Sequence, residues 1–430
     1  MHSAPAPLDP RAFGNELVSA QAFADLPRIH ATLARLRAHG KPLWVTPDNF
    51  RPFWAVGRHD QIVAASSDND IFISSRRLNL MSRLQEAAAF RGAERYGKVL
   101  RTLVHMDEPD HKKYRAVTQY WFTAAAVKHR QAILEGLARE FARKFDGANG
   151  GVLDFAAEVA TLFPLRVIMA ILGIPLEDLP LMHRLTKTLS APNDPDFSSD
   201  TARGDSMFDS IPEFTDYFLR VIADRRRHPR DDLATVIATG SVDAGPLGEL
   251  EAVSYFITMA VAGHDTTAAA MAGGCAALAE RPADWARLRR DPALLRHAAD
   301  EMIRWVTPIK HFMRTVTRDC ELGGQAIARG DGLALFYLSG NFDAAEFEAP
   351  AEFRIDRHPN RQIAFGFGPH VCLGMALSRL ELTVWFSEML RRVETLEPAG
   401  PARLLESNFL GGYKSVPIRY RLAERSGAAD

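Results

Sequence analysis

Cysteine is scarce in this 430-residue chain, which holds only Cys275, Cys320 and Cys372. An odd count this low argues against a disulfide framework and for a reducing compartment, the cytoplasm. Charge of one sign is lacking too. The 52 lysines and arginines nearly cancel the 53 aspartates and glutamates, leaving a formal net charge of -1. No global field therefore directs the protein to nucleic acid or to an anionic membrane, and any charged docking surface is local. No apolar run approaches the roughly 20 residues of a membrane span. Residues Met1 to Asn15, with Pro5, Pro7 and Pro10, hold no apolar signal-peptide core. Residues 1–20 are expected to be a poorly ordered N-terminal segment. Internal repeats and low-complexity tracts are also missing.

What is present reads as mostly helix with a small β portion. Leu43-Trp44-Val45 and Phe53-Trp54-Ala55-Val56 read as short strands separated by Pro47 and Asn49. Helical periodicity runs from Val127 to Asp146, with Ile133, Leu137, Phe141 and Phe145 on one face, and again from about Leu153 to Leu172. A long helix spans about Leu250 to Glu280, closed by Arg281-Pro282, and others span about Leu294–Val306 and Met375–Val393. Gly323-Gly324 and Gly330-Asp331-Gly332 carry hairpin chemistry. Met81 to His105 shows only weak periodicity. Ala191 to Pro212, rich in Asp, Ser and Pro, reads as a polar loop between helices, either a surface linker or a mobile lid.

The most informative stretch is Phe365-Gly366-Phe367-Gly368-Pro369-His370-Val371-Cys372-Leu373-Gly374, immediately before a helix. Glycines let a backbone approach a flat ligand closely, because they present no Cβ. A cysteine at a helix N-terminus is favoured as its thiolate, and a thiolate is an axial ligand of haem iron that promotes O–O cleavage. Other readings compete. A lone cysteine is usually a small buried hydrophobe. A zinc site needs more ligands than the nearby His358 and His370. A dinucleotide fingerprint needs a strand-turn-helix unit that does not follow here. Taken alone, the loop favours haem ligation.

Glu301-Met302-Ile303-Arg304 adds a carboxylate and a guanidinium one helical turn apart, among apolar neighbours. A buried Glu–Arg pair needs further partners, and Arg357, before His358-Pro359-Asn360, is a candidate third member. In Ala262-Gly263-His264-Asp265-Thr266-Thr267, a mid-helix glycine costs about 1 kcal/mol and threonine hydroxyls compete for backbone groups, so a local kink is expected.

With these residues in this order and spacing, the chain resembles a cytochrome P450, from Trp54 to the C-terminus. The resemblance implies a mainly α, triangular single domain (residues 1–430) with small β-sheets around a buried haem b, and no fused flavin reductase. It implies that Cys372 ligates the iron. Phe365, Gly366 and Gly374 in the cysteine loop would line the haem, as would Ala262 and Gly263 in the long helix. His111 and Arg115, in Asp107-Glu108-Pro109-Asp110-His111-Lys112-Lys113-Tyr114-Arg115, together with Arg314 and His370, match the family's propionate-binding residues. Arginine suits that task because its rigid, charged donor fork matches a carboxylate. Glu301, Arg304 and Arg357 would be structural neighbours of the site. Gln362 departs from the pattern, since relatives often place histidine there.

Asp265 and Thr266 match the family's acid–alcohol pair, which relays protons to activated oxygen; His264 is expected to pack locally. The pair favours an O2-dependent monooxygenase over peroxide-using relatives, and a sensor or electron carrier would need no such relay. The chain is most similar to the bacterial branch that contains the terpineol hydroxylase, through His311-Phe312-Met313-Arg314-Thr315, Asn408-Phe409-Leu410-Gly411-Gly412 and Val416-Pro417-Ile418-Arg419. That resemblance implies a monoterpenoid or aromatic hydrocarbon substrate, with steroids or other polycyclic molecules as the alternative. It suggests Ile257, Met259, Val261, Ala262, Ile309, Phe312, Phe409 and Leu410 as pocket residues. Electrons would come from a [2Fe–2S] ferredoxin and its NAD(P)H-dependent reductase, docked on a basic patch including Lys112, Lys113 and Arg379. Neither nucleic acid nor membrane is an expected partner. A hydrolase is excluded by the lack of a nucleophile elbow.

Overall fold

A computed structural model describes residues 8–96, 101–145, 150–190 and 206–423. Among the described residues helices dominate, flanked by a five-stranded and a three-stranded sheet, with three two-stranded pairs besides. The larger sheet has the order Leu43–Val45, Phe53–Val56, Gly332–Phe336, His311–Val316, Phe72–Ile73, with Phe53–Val56 and Gly332–Phe336 the parallel pair. The strand Gly332–Phe336 is buried at every position, as a central strand covered on both faces must be. The second sheet places Pro417–Leu422 between Val393–Pro398 and Gly150–Asp154. At the Cys320–Leu322/Gln325–Ile327 hairpin, Gly323 and Gly324 both take positive φ (57° and 74°), the turn geometry that matches strand twist.

The main core gathers around the helix Met375–Arg392 and the pair Glu249–Ala262 and Asp265–Ala279. Trp385, fully buried, has Phe145, Phe155 and Phe163 at ring distances of 6.3, 5.9 and 5.4 Å. Such aromatic clustering holds the elements that carry the site in fixed relation. Among the described residues, no helix is long and apolar enough to cross a membrane.

The expected strands at 43–45 and 53–56 are present, as are the helices Leu295–Val306 and Met375–Arg392. Five expectations need correction. Residues 150–154 form a strand, so the helical stretch that follows begins at Phe155; the strand exists because Pro417–Leu422 offers it a partner. The stretch 127–146 is not one helix but Ala124–His129 and Gln131–Ala142, broken at Arg130, with a tighter turn at Arg143–Phe145. Within the weakly periodic segment 81–105, Arg83–Tyr96 is helical. In the N-terminal segment, Pro10–Val18 is a helix, capped by Asp9 Oδ1 accepting from the backbone N–H groups of Arg11 and Ala12 at 2.8 and 2.9 Å. The polar stretch 191–212 is helical from Ser206 onward, within Ser206–Arg227; its lid reading, on 191–205, lies outside the described residues.

Candidate active site

The loop before Met375–Arg392 is shaped by two glycines in the left-handed region, Gly366 at φ 72° and Gly368 at φ 71°. A Cβ on Gly368 would lie 2.3 Å from the Ser66 carbonyl oxygen. The Cys372 N–H donates to the Phe365 carbonyl at 2.8 Å, which folds the loop back on itself. Residues 365–376 include no fully buried position, although Ile363 and Leu377 on either side are buried. Cys372 is exposed, yet surrounding protein raises its thiol pKa by desolvation. Together these observations place the thiol at the wall of an interior slot. The Gly374 N–H, then Arg115 and Arg379, draw the pKa back toward thiolate.

Four basic side chains converge beside this loop. The His111 and His370 rings lie 4.1 Å apart. Burial, then repulsion from His111, Arg314 and Arg115, pushes the His370 pKa down to about 3. Burial also lowers His111 and Arg115. Arg314 is buried, spends one N–H on the Met313 carbonyl at 2.8 Å, and leaves Nε with no partner. Glu108, 3.3 Å from His111 Nδ1, is the nearest compensating carboxylate, and Ser74 Oγ lies 3.3 Å from His370 Nε2. Two guanidiniums and two imidazoles this closely grouped call for an anion. The donor set fits haem b: a thiol, a Cβ-free loop against a flat ring and four groups suited to two propionates.

Packed against the cysteine helix is the expected long helix, which breaks where Gly263 and His264 interrupt it. Glu249–Ala262 ends, and Asp265–Ala279 begins, around a His264 with φ -107° and ψ -68°. His264 is held by Thr161, whose carbonyl lies 2.7 Å from Nε2, and burial pushes its pKa down to about 4. It is a local packing residue, as expected. Asp265 is buried, and its Oδ1 accepts from Lys187 Nζ at 3.0 Å. A void of about 20 Å³, room for one water, touches both side chains. Thr266 Oγ1 donates to the Ala262 carbonyl at 2.9 Å, and Thr267 Oγ1 donates to Ser378 Oγ at 3.3 Å, tying the long helix to the cysteine helix.

Thr258, Ala262 and Thr266 keep accessible surface at helical spacing, with Val261 and Gly263 beside them. Ile257 and Met259, read from sequence as pocket residues, are buried in the main core, and Leu410 is buried as deeply. Of the other pocket candidates, four come together: Ile309 bridges Leu410, and the Phe312 and Phe409 rings meet edge-on at 5.6 Å. Lys187 and Thr258 had no sequence signal, because their roles arise from packing across elements.

Glu301 and Arg304 are fully buried and joined by two bonds, Nε to Oε2 at 2.7 Å and Nη2 to Oε1 at 2.8 Å. Arg357 Nε donates to Glu301 Oε2 at 3.0 Å, and Arg304 also donates to the carbonyls of Asn341, Pro350 and Glu352. The network clasps the helix Leu295–Val306 to the segment leading into the cysteine loop. Gln362 Oε1 accepts from the Ala364 N–H at 2.8 Å, so it braces the same segment. The expected basic patch is thinner than its sequence suggests, since Lys113 pairs with Asp243 and Arg379 with Asp300, both at 2.7 Å. Lys112 stays exposed.

Comparisons with known proteins agree with this geometry. Residues 202–412 match the family model for Cytochrome P450. Cytochrome P450-terp of Pseudomonas sp is 32% identical over 425 residues, covering 96% of this chain and 98% of that protein. A steroid C26-monooxygenase of Mycobacterium bovis is 30% identical over 369 residues, covering 86% of this chain and 82% of that one. The crystal structure of CYP108D1 from Novosphingobium aromaticivorans matches the fold with a TM-score of 0.89 at 38% identity, over 97% of this chain and 100% of that one. With relatives matched along nearly its whole length and a slot that suits the prosthetic group, the chain belongs to the cytochrome P450 family, as a haem-thiolate monooxygenase that binds haem b through an axial cysteine.

Proposed function

We propose that this monooxygenase hydroxylates a C–H bond of a compact apolar molecule, a monoterpenoid or aromatic hydrocarbon, in the cytoplasm. The observation that carries the reading is the uncharged wall of Ile309, Phe312, Phe409 and Leu410. Such a wall binds by desolvating apolar surface and offers no partner to a charged substrate. The relative named Cytochrome P450-terp supports the terpenoid choice. A steroid is the second reading, favoured by the steroid C26-monooxygenase relative.

Bound haem supplies the activation of O2 and the insertion of one oxygen atom. Cys372 would hold the iron as its thiolate, and His111, Arg115, Arg314 and His370 would hold the propionates. Phe365, Gly366 and Gly374 in the cysteine loop and Ala262 and Gly263 in the long helix would line the haem. Asp265 takes protons from the Lys187 side and passes them toward Thr266, whose hydroxyl orients the last donor water. Electrons come from a separate [2Fe–2S] ferredoxin and its NAD(P)H-dependent reductase, meeting a face that includes the exposed Lys112.

The deciding experiment is a spectral titration of the ferric protein with monoterpenoids, alkylbenzenes and steroids. A low-to-high-spin shift with the first two classes supports the proposal, and a shift confined to steroids replaces it with the second reading. For the partner, Lys112→Glu should slow reduction by a [2Fe–2S] ferredoxin without changing substrate affinity. An unchanged rate at all salt concentrations excludes that docking face.

A further inference from the structure

A pocket of about 440 Å³ lies apart from the cysteine loop and its basic cluster. Its walls come from the helix Leu26–His39, the end of Leu295–Val306 and residues of the 404–413 segment. Phe23, Leu338, Phe342 and Leu405 make it largely apolar. Three of its lining side chains are basic, His30, Arg37 and Lys310, and among the described residues none of those lining it is acidic. The volume is that of a small-molecule site.

Two of these basic groups have no carboxylate answering them inside the pocket. Arg37 donates to the Ser339 carbonyl and hydroxyl, each at 3.2 Å, and feels the charge of Asp343. Lys310 is different. Its side chain is buried, and Nζ makes one hydrogen bond, to the Val306 carbonyl at 2.6 Å, although an ammonium carries three donors. Burial pushes its pKa down to about 7. The neighbouring His30 falls to about 4, first through burial and then through repulsion by Lys310, Arg37 and Arg304. An apolar space with surplus positive potential favours a ligand with an apolar body and one negative charge, since pairing restores the buried ammonium.

The chain is also built around this lysine. A Cβ on Gly411 would lie 2.0 Å from Lys310 Cε and 2.5 Å from Nζ. The Lys310 N–H donates to the Phe409 carbonyl at 2.8 Å, and Ile309 bridges Leu410. The Lys310 side chain joins the pocket while its backbone holds Phe409, which meets Phe312 at the substrate wall.

We propose that this pocket is a second ligand site, separate from the haem slot, that binds a compact apolar carboxylate with its anionic head on Lys310 Nζ and its chain between Phe23, Leu338 and Phe342.

The test is calorimetric titration of sodium octanoate into the ferric holoenzyme with its haem pocket already filled by saturating 4-phenylimidazole. That block separates this site from the substrate site, so failure here leaves the hydroxylase reading untouched. The expected result is one saturable site, weakened about tenfold or more by Lys310→Met, with 1-octanol at least about tenfold weaker than octanoate on the unaltered protein. The absence of a saturable octanoate site overturns the proposal. So does equal octanoate affinity in a Lys310→Met variant that keeps its carbon monoxide spectrum, or equal affinity for octanol and octanoate. Should Lys310→Met fail to fold, the octanoate–octanol comparison decides.

Discussion

Lys187 Nζ lies 3.0 Å from Asp265 Oδ1, joining the helix Leu179–Ser190 to the point where the long helix breaks. Asp265 is thereby held with its carboxylate 3.4 Å from His264 Nδ1, next to a void that has room for one water. Asp265→Asn keeps the shape but cannot relay a proton, so turnover should fall about 100-fold. The substrate-induced spin shift should persist. Thr266→Ala should instead lower product formed per O2 consumed. Product and oxygen measured together distinguish the two, and full turnover by Asp265→Asn would remove it from proton delivery.

Glu301→Gln should be among the most damaging single changes. It removes the one carboxylate that Arg304 and Arg357 share, at 2.7 and 3.0 Å, and leaves two buried guanidiniums without their counter-charge. Breaking a buried ion pair in this way costs about 3–5 kcal/mol. The loss should appear as a lower urea midpoint of the holoprotein and as easier haem loss. A midpoint within error of the parent would show that the carbonyls of Asn341, Pro350 and Glu352 suffice.

How much of this was legible in the sequence depends on how local each signal is. The cysteine loop was legible because Gly366, Gly368 and Cys372 act within ten residues of one another, and the Glu301–Arg304 spacing is one helical turn. The break at Gly263 followed from a glycine inside a helix. Strand Gly150–Asp154 was hidden because its partner, Pro417–Leu422, lies at the other end of the chain. Lys187 reads as one more surface lysine until folding sets it against Asp265. Ile257 and Thr258 illustrate the same limit: periodicity says that one face of a helix is buried, but only packing says which face meets the slot.

His311 should make stability depend on pH. Its Nε2 accepts from the Leu80 N–H at 2.9 Å while Nδ1 lies 3.1 Å from the Asn408 carbonyl, an arrangement that fits the neutral ring protonated on Nδ1. Burial lowers its pKa from the usual 6.5 to about 4. Between those values the unfolded chain binds a proton that the folded chain refuses. Stability is therefore full above pH 6.5 and declines as pH falls toward 4, by about 3 kcal/mol for this group. His264 adds to the same window. Urea midpoints at pH 6.5 and 4.5 should show a shallower acid loss in His311→Gln than in the parent. An identical slope would exclude His311 from the linkage.

Gly368→Ala tests whether the cysteine loop is set by its backbone. The position has φ 71°, where an alanine costs about 1–2 kcal/mol. The added Cβ would also meet the Ser66 carbonyl oxygen at 2.3 Å, and a backbone atom cannot swing aside as a long side chain could. The loop must then move away from Ser66, carrying the Gly368 carbonyl that accepts from Val371 N–H at 3.0 Å and, one residue further, Cys372. A shifted thiolate donates less well to iron, so the carbon monoxide complex should lose part of its strongly red-shifted Soret band in favour of an unshifted one. An unaltered carbon monoxide spectrum in Gly368→Ala would show that packing of the loop on Ser66 does not set the position of Cys372.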